Sequence, residues 1–143
     1  MKPGYIVAGA LALGAAIAAY QFTTFGSADA QTAPAAGAAL VQVVVPETLS
    51  PVAQIGKTGF DAICAACHGQ NAAGRNGMGP PLIHKIYEPS HHGDESFQLA
   101  VQRGVRAHHW TFGNMPPVEG LTRADVVAIV GYVREMQRAN GIN

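Results

Sequence analysis

An all-α fold is what the sequence predicts, on three observations. Apolar residues recur at three- and four-residue steps in three separate stretches, and no stretch alternates apolar with polar as a half-buried strand would. Long Gly- and Pro-rich segments join the helical stretches. Loops of that length in a chain of 143 residues need a rigid body to organise them. The chain suits one domain with a small core. Only 13% of its residues are charged, with nine Lys plus Arg against nine Asp plus Glu. That balance lacks the basic footprint of nucleic-acid binding and argues against a strongly charged partner surface.

The N-terminal stretch, Tyr5 to Phe25, is uncharged and rich in Ala, Gly, Leu, Ile and Val. It predicts that residues 1–30 are a signal peptide or an N-terminal membrane anchor. Ala28-Asp29-Ala30, just after Gly26, is a small-residue cleavage site. Residues 5–25 also reach the roughly 20 apolar residues a spanning helix needs. Cleavage after Ala30 is favoured over retention, and both export the remainder. A helix buried in the domain is disfavoured, because the polar remainder could not enclose an all-round apolar helix. Residues 31–49 are expected to be a flexible linker, since Gln31 to Ala39 is Ala, Gly, Pro, Thr and Gln without periodicity. Within it, Leu40 to Val45 is a β-branched run closed by Pro46, either an extended arm on the domain surface or linker.

The folded domain is expected over residues 50–143. Ser50 suits an N-cap and Pro51 the first helical position. Val52, Gly56, Phe60, Ile63 and Cys67 then predict one apolar or small face that delivers two cysteines at the helix end. Asp94 to Arg103 is a second helix, with Phe97, Ala100 and Val101 inward and Gly104 as its stop. The third starts at Thr122 with Asp125 completing a capping box. Its apolar face is Ile129, Tyr132, Val133 and Met136, and Asn140-Gly141 ends it.

Chemistry converges on Cys64-Ala65-Ala66-Cys67-His68. CxxCH is the signature of c-type haem attachment through two thioether bonds, with the histidine as the iron's first axial ligand. The rigid body that the loops require is then one covalently bound haem. A closed iron needs a second ligand, and a Met thioether opposite His raises the reduction potential. Met1 belongs to the export segment, Met136 lies on a core face, and Met78 follows His68 too closely to cross the ring. Met115, followed by Pro116-Pro117, is the predicted sixth ligand. His84, His91, His92, His108 and His109 are the competing ligands, giving a bis-His iron of lower potential. His91-His92 read as exposed loop histidines, whereas His108-His109-Trp110 is expected along the haem edge, reaching propionate or backbone. Zinc at CxxC lacks a regular second ligand pair. A redox CxxC would want a βαβ pattern, and no Gly-rich run matches a phosphate-binding fingerprint.

Together these motifs resemble the bacterial class I monohaem cytochromes c, over about Pro51 to Gly141. Gly56-x-x-x-Phe60-x-x-x-Cys64 resembles that family's first helix, where the small Gly admits the last helix and Tyr132 is the aromatic that meets it. Gly79-Pro80-Pro81-Leu82 resembles the stretch whose first proline carbonyl accepts the N–H of the ligand histidine, which implies that role for Pro80. Met115-Pro116-Pro117 resembles the distal-ligand loop. Ile83 to Gly93 and His108-His109-Trp110 depart from the pattern, leaving room for a docking surface or metal contact.

The resemblance implies a periplasmic electron carrier, soluble after cleavage near Ala30 or anchored to the inner membrane. It would pass one electron between partners such as a terminal oxidase and a periplasmic dehydrogenase. The alternative is a cytochrome subunit of a dehydrogenase or oxidoreductase complex. Intrinsic peroxidase-like catalysis would need a labile Met115, and a sensor or metal-binding role would rest on the extra histidines.

Overall fold

The structure is a computed structural model that describes residues 34–143. The signal-or-anchor expectation for residues 1–30 lies outside the described residues, among which no helix is long and apolar enough to cross a membrane.

Helix α1 spans Pro51–Gly59. Ser50 caps it as expected, its hydroxyl accepting from Ala53 N at 3.2 Å. The rod continues through a π-helical turn, Phe60–Cys64, into α2, Ala65–His68. Helix α3 is Asp94–Arg103, stopped by Gly104 at φ 75°. Helix α4 is Arg123–Ala139. Its capping box is complete: Thr122 Oγ1 accepts from Asp125 N, and Asp125 Oδ2 accepts from Thr122 N. Short 3₁₀ turns occupy Gln70–Ala72 and Lys85–Tyr87. Among the described residues the only strand-like pairings are two isolated bridges, so the fold is all-α.

Helices α1 and α4 cross at Gly56. A Cβ there would fall 1.9 Å from the Ala128 carbonyl oxygen, so only glycine admits this approach. The rings of Phe60 and Tyr132 meet next to it at 5.5 Å. Ala53, Phe60, Ile129, Tyr132, Val133 and Met136 form the core together with Leu82 and Ile83 from the loop. Each large apolar side chain so buried contributes about 1.5–3 kcal/mol. Ser50 also ties the crossing, its backbone N–H and hydroxyl both donating to the Glu135 carboxylate.

The apolar face of α1 differs from the expected one. Ala53, Gly56 and Phe60 are buried against α4, while Val52 is 52% and Ile63 is 41% exposed. The π turn inserts one residue per turn beyond the α register, so three- and four-residue steps stop predicting a common face after Phe60.

The segment expected to be linker is attached to the domain from residue 34 onward, where the Pro34 carbonyl accepts from the Asn76 side-chain amide. Gly37 N donates to Asn76 O, and Leu40 N and Val41 N both donate to Ala73 O. The Asn140 side-chain amide then acts as a neighbouring strand would. Its Oδ1 accepts from Val44 N and its Nδ2 donates to Val44 O, both at 2.8 Å. Val41, Val43 and Leu49 pack on the core beneath. Leu40 to Val45 is therefore an extended arm laid on the domain.

Candidate functional site

The rod that begins at Ser50 places Cys64, Cys67 and His68 at one wall of a cavity of about 410 Å³. Cys64 is half-buried, and burial, aided by nearby Cys67, pushes its thiol up to about 11. His68 Nδ1 lies 2.9 Å from the Pro80 carbonyl oxygen. The carbonyl can only accept, so Nδ1 carries the proton and Nε2 keeps its lone pair. Burial holds the His68 pKa below the usual histidine value against the opposing pull of the Pro80 bond, so the ring is neutral at pH 7. Pro80 is delivered by a tight approach. A Cβ on the preceding Gly79 would meet Cys67 O at 2.7 Å, so the loop reaches the attachment motif only because that residue is glycine.

Met115 lines the same cavity, while Met78 and Met136 do not. Met78 is half exposed and Met136 is fully buried in the core. The Met115 backbone is fixed by a two-way bridge, Val105 N to Met115 O at 2.9 Å and Met115 N to Val105 O at 3.0 Å. This pairing was not legible from the flanking prolines. Much of the remaining lining is apolar: Phe60, Leu82, Phe97, Ile129, Val130 and Val133 among others. Ile63 also lines it, so its exposed surface is turned to the cavity.

His108, His109 and Trp110 line the cavity as expected, and Phe112, which was not foreseen, stacks on Trp110 at 5.9 Å. Trp110 Nε1 is buried without a hydrogen-bond partner. His92 departs from its expectation as a solvated loop residue. It is half-buried, lines the cavity, and its Nδ1 lies 2.6 Å from Ile86 O. His91 is exposed and does not line the cavity, and His84 packs edge-on against Trp110.

Arg134 and Gln137, on α4, hold the loop that carries His91 and His92. Arg134 donates to the carbonyls of Tyr87 and His92 and to Asp94 Oδ1 and Gln137 Oε1. Its guanidinium also sits 5.0 Å from the Phe97 ring centre. Gln137 Nε2 donates to Leu82 O and Tyr87 O. The signal for this pair was available, since Val126, Val130, Arg134 and Gln137 follow one another at helical steps on the buried face of α4.

Against this geometry stands one comparison: the cytochrome c family model matches residues 53–137. The chain belongs to the cytochrome c family. No curated protein and no solved structure matches it. The family carries haem c with its iron, covalently attached, and Cys64 and Cys67 stand where its CxxCH motif is expected. The residues of this cytochrome c domain fit that group. Two thiols and a neutral imidazole line the cavity together, and the rest of its lining is largely apolar, as a covalently held haem requires.

Proposed function

We propose that this class I cytochrome c is a periplasmic carrier of single electrons, with one haem c whose iron is held by His68 and Met115. The observation that carries the reading is the shared cavity: His68 and Met115 line it together, and neither other described methionine does. When bound, the haem supplies a one-electron iron(II)/iron(III) couple. Cys64 and Cys67 would anchor it as thioethers, and theirs is the only cysteine pair in the chain. His68 would hold the iron through Nε2, oriented by Pro80, which raises its basicity. Met115 would supply its thioether as the second iron ligand, from a backbone that the Val105 bridge immobilises. Two protein ligands leave no open coordination position, which favours carrying electrons over catalysis at iron.

Export rests on residues 1–30, by cleavage near Ala30 or anchoring through residues 5–25. Terminal oxidases and periplasmic dehydrogenases are the proposed partners. With zero net charge, docking should depend on a local surface and only weakly on salt. Service as a subunit of an oxidoreductase complex uses the same site.

The test is the absorption spectrum of the oxidised holoprotein. A far-red sulfur-to-iron charge-transfer band in the wild type that vanishes in Met115→Ala supports the ligation. Its absence from the wild type refutes it.

A further inference from the structure

Three of the five histidines beyond His68 meet at the rim of the haem cavity. The ligand atoms of His91, His92 and His109 all lie within 4.8 Å of one another. Their rings crowd at 4.6 Å for His91 and His92, 5.2 Å for His91 and His109, and 5.4 Å for His92 and His109.

We infer that His91, His92 and His109 form a second metal site, which takes one borderline divalent transition-metal ion, Zn(II) or Cu(II), apart from the haem iron. Imidazole nitrogen is the donor such ions prefer, and three of them with an open fourth position is an established ligand count. Zinc–nitrogen bonds of 2.0–2.1 Å in a tetrahedral site place ligand nitrogens about 3.3 Å apart. His91 and His109 are exposed, so rotation of their rings can close the remaining distance.

Two further observations point to a built site. The His92 Nδ1–H donates to Ile86 O at 2.6 Å, which fixes its tautomer and leaves Nε2 as the ligand atom, the usual arrangement of a metal-binding histidine. Both supporting loops are also held in place. Arg134 donates to the His92 carbonyl from α4, and Ala107 N donates to Asn114 Oδ1 across the base of the loop that carries His109. The nearby Asp94 carboxylate is engaged by Arg134, so the donor set is all nitrogen. That set favours Zn(II) and Cu(II) over the oxygen-seeking Ca(II) and Mg(II). A bound ion would join the loop around His91 to the loop that carries Met115.

The experiment is calorimetric titration of untagged, chelator-treated holoprotein with Zn(II) alone. The expected result is one equivalent bound, weakened at least about 10-fold in His91→Ala and again in His109→Ala, since even loss of a supporting partner costs that much. Haem absorption should be unchanged in His91→Ala, because His91 does not line the haem cavity. No stoichiometric uptake by the wild type overturns the site, as does wild-type affinity in either variant. A haem spectrum altered by His91→Ala also overturns it, by assigning that histidine to the iron.

Discussion

Replacing Gly56 by Ala tests the helix crossing on which the site is built. The new Cβ would sit 1.9 Å from Ala128 O, 2.4 Å from Ala128 C and 2.9 Å from Ile129 N, against ordinary contact at 3.4 Å or more. All three are backbone atoms, so α4 must move away by about 1.5 Å. Overpacking of this kind costs about 1–3 kcal/mol, and rigid neighbours place it at the upper end. The separation also strains the Phe60–Tyr132 contact and the Ser50–Glu135 bonds, worth about 1.5 kcal/mol more for a charged acceptor. Better helix propensity returns about 1 kcal/mol. The net loss of about 3.5 kcal/mol lowers the melting temperature by roughly 14–28 °C for a domain of this size. Gly131→Ala is the control on α4: its Cβ would meet only a Val52 methyl group at 3.7 Å, so it should be neutral or stabilising. Thermal unfolding of the holoprotein, followed by circular dichroism, compares the two. A Gly56→Ala protein melting within a few degrees of wild type, or a Gly131→Ala protein falling equally far, refutes the reasoning.

Arg134→Met removes a buried guanidinium that holds two loop carbonyls and Asp94, and should cost about 3 kcal/mol. Amide exchange should quicken at His91–Gly93 before the core is affected. Asn140→Ala loses both hydrogen bonds to Val44, about 1–2 kcal/mol in all, and limited proteolysis should cut the 37–45 arm sooner. Acid should destabilise the protein through three carboxylates held below their usual range: Glu135 by the Ser50 hydroxyl, Asp125 by the Thr122 hydroxyl and Glu95 by Arg123. Their contribution is full above the unfolded values of about 4 and is lost as pH falls through the lower folded values. The melting temperature should hold above about pH 5.5 and decline below about 4, less steeply in Glu135→Gln.

Much of the fold was legible because its signals are local. Ser50-Pro51, the Thr122–Asp125 box and Gly104 mark helix ends through contacts within a few residues, and CxxCH is contiguous. Gly56 with Tyr132 and Pro80 with His68 were legible through family resemblance, since their contacts span long separations. The π turn at Phe60–Cys64 was hidden because apolar spacing assumes a constant helical period, and it turned Ile63 from expected core into cavity wall. The run Leu40 to Val45 left arm and linker both open, because the backbone hydrogen bonds and the Asn140 amide that hold it leave no mark in composition. His91, His92 and His109 lie on two separate loops, and only the folded chain brings them together.

Carbon monoxide binding to the reduced holoprotein tests the closed-iron account most directly. No spectral change with carbon monoxide in the wild type, and a clear one in Met115→Ala, is the predicted result. Ready carbon monoxide binding by the wild type would contradict it, because the iron would then hold an open position that Met115 does not fill.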